Sequence, residues 1–361
     1  KGASDPVVTT NPAGGVGSVF LNTADGEMFV CTDATADNNV WTNVGGGDGD
    51  ISPWHYPGAT YGYIMGGSGN FPGGTLLDTI QRFAFASATT DAVDSNRDLS
   101  VARYQSSATR STTHGYCMGG GTTVGTNIID KFAFATANAD STDVGDMTYL
   151  AWGQSATGSS STTGYIMGHY KESPAPAGYA GTINKFSFAS GTQDATHIAE
   201  QATDTYGSAG TNNQTHIFAL GGRTMGVGGI TNIQKFSMSS ETNSTNVAVL
   251  EVGVQHTQGT SSTTHGYASG GSTNPTETAF VDHIQEFNFS TEATAVDVGN
   301  LTLARAQSSP QSSETYSYTS GGKNFYDRID RFAYSNPAIG STDVGNINAG
   351  HGSLDTAGTQ V

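Results

Sequence analysis

Two columns of residues, each recurring six times at a period near 50, predict an all-β chain: a six-bladed β-propeller with a small β module in front of it. The first column is a glycine pair or its equivalent that closes a short apolar strand. It falls at Gly66-Gly67, Gly119-Gly120, Gly168-His169, Gly221-Gly222, Gly270-Gly271 and Gly321-Gly322, at spacings of 53, 49, 53, 49 and 51 residues. The second column keeps register with it: IQRFAF from Ile80, IDKFAF from Ile129, INKFSF from Ile183, IQKFSM from Ile233, IQEFNF from Ile284 and IDRFAY from Ile329. Composition points the same way. Glycine supplies 49 of 361 residues, the excess that a chain of many short strands needs for its turns.

Residues 1–16, polar with Pro6 and Pro12, read as a flexible leader. Residues 17–45 form a distinct module in which SVFLNT and EMFVCT flank the turn Ala24-Asp25-Gly26, a hairpin signal, and 39–45 supplies a third strand carrying Trp41. Three strands barely stand alone, so this module is expected to pack on a partner subunit or on the propeller. Residues 46–60 read as a linker that opens glycine-rich and acidic. Lys1 is preceded by no initiator methionine and followed by no apolar leader, which predicts a trimmed N-terminus without a signal peptide.

The propeller is expected over 61–361. Its second repeat shows the four-strand plan: 104–109 alternating and small, 115–118 apolar, 128–135 alternating, and 142–147 ending in an acid–glycine turn. In IDKFAF, Asp130, Phe132 and Phe134 share one side of the strand, and this phenylalanine side is expected to pack against the next blade as core. The first blade has strands at 61–67 and 80–85 but no innermost strand, because Pro53 and Pro57 interrupt the segment before it. The terminal run 351–361 stands where a seventh repeat would begin, so it is expected to close the ring as that missing strand.

Charged residues make up only 12%, against an ordinary share of about 25%, and the net charge is −17. Surplus carboxylate repels phosphate backbones, which excludes nucleic acid as an expected partner. No apolar run approaches the roughly 18 residues of a membrane helix, so no membrane insertion is expected. Cys117 stands in the column held elsewhere by Ile64, Ile166 and Ala268 and reads as a small buried hydrophobe; nothing in the spacing favours a bridge to Cys31. His114, His216 and His265 occupy one column in three repeats, where propeller geometry separates them. No His-x-His, Cys-x-x-Cys, calcium-loop or G-x-S-x-G spacing occurs, and Asp91 and Asp94 read as solvated turn residues. The expectation is no metal, no cofactor and no enzymatic activity.

Comparing the six repeats with one another locates the variable rim. The turns between first and second strands barely change (STTHGY, STTGY, STTHGY), whereas the loops after the glycine pairs differ in length and content: 68–78, 121–126, 170–181, 223–231, 272–282 and 323–327. The segment leading into each first strand lies on the same face and supplies Arg103, Trp152, Asp204, Arg305 and His351, beside Val254. The loops add Phe71, Tyr170, Tyr179, Phe280, Phe325 and Tyr326. Aromatic platforms beside polar groups suit sugars, whose C–H faces stack on rings while their hydroxyls hydrogen-bond. These eleven residues are the expected ligand-binding face.

Two resemblances sharpen these expectations. Phe20-Leu21-Asn22-Thr23, Phe29-Val30-Cys31-Thr32-Asp33-Ala34 and the run 39–45 resemble a short module of bacteriophage virion proteins, which implies a structural protein of a phage particle and no chemistry. Leu99-Ser100-Val101-Ala102-Arg103, Gly115 through Gly120 and Ile129-Asp130-Lys131-Phe132 resemble the kelch repeat, and 301–305 with Gly321-Gly322 repeats the pattern. Two features depart from it: the kelch tryptophan near the end of the third strand is absent, and His169 breaks a glycine doublet. Together the resemblances imply a non-enzymatic virion protein of the tail-fibre or receptor-binding kind, an adhesin that recognises a host-surface glycan or protein. A capsid or tail decoration protein is the nearest alternative, and an extracellular glycan-active enzyme the third. Residues 1–60 would join other virion subunits, homo-oligomerisation is compatible with such a role, and the expected location is the extracellular particle.

Overall fold

The computed structural model describes residues 1–44, 58–69, 74–87, 89, 91–136, 138–152, 155–173, 177–189, 192–323, 327–348 and 357–360; of Trp152, Ala357 and Gln360 it describes the backbone alone. The chain is all-β, with several antiparallel sheets and no α-helix among the described residues. It divides into two units, Lys1–His55 and Tyr56–Val361. The boundary falls within the expected linker, most of which lies outside the described residues.

In the first unit β1 (Val19–Leu21), β2 (Met28–Asp33) and β3 (Val40–Asn43) form an antiparallel sheet in chain order. Strand alternation places Phe29, Cys31 and Trp41 on one side, where all three are buried, and Phe20 meets Trp41 edge to face at 5.9 Å. The first 16 residues are not a loose leader. Gly2 pairs with β1 through its N–H to the Leu21 carbonyl (3.1 Å), and the Val8 carbonyl accepts the Asn39 N–H (2.8 Å). Asn11 donates to Asp37 at 2.7 Å. Backbone bonds of Gly2 and Val8 and the side chain of Asn11 therefore strap this polar stretch to the module.

The second unit contains β4 (Tyr61–Ser68), β5 (Leu76–Ala84), β6 (Val93–Asp98), β7 (Ser107–Arg110), β8 (His114–Met118), β9 (Thr126–Ala133), β10 (Thr142–Trp152), β11 (Ala156–Ser159), β12 (Thr163–Ser173), β13 (Gly178–Ser187), β14 (Thr196–Glu200), β15 (Ala209–Asn212), β16 (His216–Leu220), β17 (Ile230–Ser237), β18 (Thr245–Val254), β19 (Gln258–Ser261), β20 (His265–Ser269), β21 (His283–Asn288), β22 (Val296–Asn300), β23 (Ser309–Ser312), β24 (Tyr316–Ser320), β25 (Arg328–Ala333), β26 (Thr342–Asn346) and β27 (Ala357–Gln360). Three of its sheets follow the chain four strands at a time: β15 to β18, β19 to β22 and β23 to β26. The second and third repeats merge into one eight-stranded sheet, because the end of β10 pairs with the end of β12. In the first sheet β27 takes the inner place beside β4, with Gly358 opposite Ile64 and Thr359 opposite Tyr63. The C-terminal segment therefore supplies the fourth strand of this sheet; Pro53 and Pro57 lie outside the described residues. The strand is shorter than the expected run 351–361, whose first residues lie outside the described set.

Successive sheets are joined in the same way. An aromatic of each second strand packs on the aromatic of the following repeat's third strand: Tyr63 on Phe132, Tyr116 on Phe186, Tyr165 on Phe236, Phe218 on Phe287, Tyr267 on Phe332 and Tyr318 on Phe83, with centroids 5.2 to 5.6 Å apart. The phenylalanine side of the third strand is core, as expected, but it meets the preceding repeat and not the next. The innermost strands touch in the cyclic order β27, β7, β11, β15, β19, β23 and back to β27. Glycines sit where these strands approach most closely: a Cβ on Gly210 would lie 2.3 Å from the Thr157 nitrogen, and one on Gly358 2.1 Å from the Pro310 carbonyl.

A buried polar grip ties each sheet to the segment that leads into it. In all six repeats the residue after the third-strand isoleucine accepts a hydrogen bond from that segment. The backbone N–H groups of Asn348, Ser100, Thr203, Val252 and Thr302 reach Gln81, Asp130, Gln234, Gln285 and Asp330 at 2.8 to 3.0 Å, and the Thr148 hydroxyl reaches Asn184 at 2.9 Å. Burial forbids leaving these groups unpaired. Both cysteines are free and buried, Cys117 within the core as expected and Cys31 beside Trp41.

Candidate functional site

Arg103 and Arg305, expected at the ligand face, are interior residues. Each is wholly buried: Arg103 Nη1 lies 2.9 Å from Asp130 Oδ2 and Arg305 Nη2 3.0 Å from Asp330 Oδ2, with all four side chains at 0% exposure. Their guanidiniums also donate to the carbonyls of Cys117 (3.1 Å) and Thr319 (2.9 Å). A charge held this way is a strut, since its donors are turned inward and away from solvent. The expected column was also out of register in two repeats. The carbonyls crowded by the first glycine of each pair belong to Arg103, Ala151, Thr205, Val254 and Arg305, so Ala151 and Thr205 are the equivalents of the arginines. Asp204 stands one residue before that interior column, and a one-residue shift reverses the side a residue faces. It is accordingly exposed. Trp152 stands one residue after it, its backbone paired with Tyr170. Phe71, His351, Phe325 and Tyr326 lie outside the described residues.

The third repeat brings together the remaining expectations. In the other repeats both glycines of the doublet have positive φ, for example 58° and 102° at Gly119 and Gly120. Here only Gly168 does, at 67°, because the β-carbon of His169 disfavours that region. β4 runs one residue past its pair, to Ser68, whereas β12 runs on to Ser173, and β12 and β13 extend as a long hairpin with Tyr170 paired to Tyr179 and Lys171 to Gly178. The Tyr170 and Tyr179 rings meet at 5.9 Å, and both approach Tyr206, at 6.1 and 4.9 Å. Beside them is a cleft of about 380 Å³ lined by Tyr149, Lys171, Tyr179, Glu200, Asp204 and Met225 among others. Lys171 Nζ sits 5.3 Å from the centre of the Tyr149 ring. Below that ring, His169 is fully buried 5.4 Å away, and burial, reinforced by Lys171, lowers its pKa to about 4, so it is neutral at physiological pH.

A clasp borders the tyrosines. Arg223 lies over both the Tyr179 and Tyr206 rings and pairs with Glu277 at 3.1 Å. The same carboxylate meets His256 Nε2 and Lys323 Nζ, each at 3.2 Å, and accepts from Gln307 at 3.0 Å. Burial alone would raise the Glu277 pKa, but the hydrogen bond and charge of His256, followed by Lys323, outweigh it and hold the carboxyl at about 2. Phe280, the last expected site residue, sits under Lys323 at 5.8 Å on this clasp and not in the cleft.

The structure thus joins Tyr170, Tyr179 and Asp204 and adds Tyr149, Lys171, Tyr206 and Arg223, which the column comparison missed. The broken doublet at His169 was the available signal. The His114, His216 and His265 column makes no common site: each Nδ1 meets the neighbouring Thr113, Thr215 or Thr264 hydroxyl at 2.8 Å, and His265 Nε2 meets Asn288 of its own sheet at 2.9 Å. No protein-family model matches the chain, and no curated protein matches it in sequence.

Proposed function

We propose that the second unit is a six-bladed, kelch-like propeller and that the protein is a non-enzymatic virion component, a tail-fibre or receptor-binding adhesin that recognises a host-surface glycan through the tyrosine cleft of its third blade. The propeller is supported by the cyclic order of inner strands, by the aromatic contacts that run from each repeat to the next and back to the first, and by the placing of β27 beside β4. The observation that carries the binding role is the cleft itself: half-exposed tyrosine rings beside an exposed carboxylate and an ammonium, built by the one repeat that departs from the common pattern. Rings take the C–H face of a pyranose, and Asp204 and Lys171 offer an acceptor and a donor to its hydroxyls. The virion assignment rests on the resemblance of residues 20–45 to a phage structural module.

The test is binding of the labelled full chain to susceptible cells, alongside Tyr179→Ala and Asp204→Asn. Saturable binding that both substitutions weaken, with melting unchanged, supports the adhesin. Absence of binding by folded protein would favour the decoration role, in which the partner is another virion subunit.

A further inference from the structure

We infer that the cleft of the third repeat selects uncharged sugar residues over acidic ones, and that Asp204, seated against the bare α-carbon of Gly181, is the specificity-determining group. This rests on the glycan-binding proposal above.

Of the two cations described beside the cleft, Arg223 is held in the clasp and Lys171 alone stands on the wall. Arg223 is paired with Glu277 and lies over two tyrosine rings. Lys171 rests over Tyr149, and its single charge shares the cleft wall with two carboxylates, Asp204 and Glu200, the latter 3.0 Å from His197. A uronate or sialate entering here would place a third carboxylate beside those two, on a chain of net charge −17. Carboxylates without a bidentate cationic partner repel one another at this range, so the acidic sugar is disfavoured while a neutral one is not.

Gly181 fixes where the acceptor stands. A Cβ built on it would lie 2.0 Å from Asp204 Oδ1 and 2.9 Å from its Cγ, so the carboxylate occupies the space a side chain would fill. The backbone of Gly181 lies outside the positive-φ region, so an alanine there would meet the Asp204 carboxylate and displace it with no strain in the chain. A carboxylate so placed can accept from two neighbouring hydroxyls of one ring, a demand that neutral hexoses meet.

The experiment is retention of the labelled full chain on an immobilised glycan panel containing neutral, uronate-bearing and sialylated oligosaccharides, at low and high salt. Gly181→Ala and Asp204→Asn are run alongside. The expected result is retention confined to neutral glycans and unchanged by salt, falling about tenfold or more in both variants, as loss of a charge-assisted hydrogen bond implies. Gly181→Ala keeps the carboxylate and its charge while moving it, so a matching loss in both variants points to placement. Retention on acidic glycans that Tyr179→Ala abolishes would overturn the selectivity and leave the glycan site standing. Equal retention by Gly181→Ala and wild type would overturn the role of Asp204. Retention on nothing would overturn the glycan site and this inference with it.

Discussion

At the residue scale, the most consequential groups are ionised and buried, and their partners decide the sign of their effect. Arg103 and Asp130 form a pair at 0% exposure, and repeats without the arginine carry an amide where the aspartate stands. Asp130→Ala strands a buried guanidinium and should cost about 3–5 kcal/mol in denaturant unfolding. The double change Arg103→Val with Asp130→Gln copies the fifth repeat, Val254 with Gln285, and should recover most of that loss. Equal destabilisation by single and double changes would refute the pairing as the source. Glu277 supplies a pH dependence. Its folded pKa of about 2 lies below the ordinary 4.5, so its stabilisation is full above about pH 4.5 and is lost as pH falls from there towards 2. Glu277→Gln should flatten that limb of the stability profile and leave the neutral-pH slope alone.

At the scale of the element, the third-repeat hairpin shows what one side chain can redirect. His169→Gly restores the doublet and the permitted positive φ, and strands that carry the doublet run no further than the one residue by which β4 passes its pair, so β12 should shorten to match. Amides of 170–171 and 178–180 should then lose hydrogen-exchange protection while those of 183–186 keep theirs; uniform protection across β13 would contradict the mechanism. Strand content, repeat register and the core face of the third strands were legible in sequence because period 2 and the isoleucine column report directly on burial. The lead-in column was not. Its register depends on which carbonyl each glycine pair crowds, and sequence spacing hides the one-residue shifts that bury Thr205 and expose Asp204. The leader was misread for a related reason. Polar residues suggest solvent exposure, whereas Asn11 and Asn39 spend their amides on the first unit's own backbone and turn.

On the scale of the whole molecule, the C-terminal strand ties the end of the second unit's chain to its beginning. β27 pairs with β4, its Thr359 hydroxyl donates to the Thr109 carbonyl at 3.3 Å, and Gly358 abuts Pro310, so four residues touch the sixth, first and second repeats. Deleting 357–361 should lower the melting temperature and broaden the transition, since the first sheet then loses its inner strand and exposes an edge. A deletion that melts like the full chain would mean that the second unit does not depend on β27. On the proposed reading, the second unit is a scaffold that carries a glycan-binding cleft on its third repeat. The most direct test of that reading is titration of the full chain against polysaccharide extracted from susceptible cells, with Tyr179→Ala as the paired variant. Saturable binding by the wild type, lost in a Tyr179→Ala protein that melts normally, is the predicted result. Undiminished binding by that variant would contradict the account, because it would move the ligand away from the tyrosine cleft.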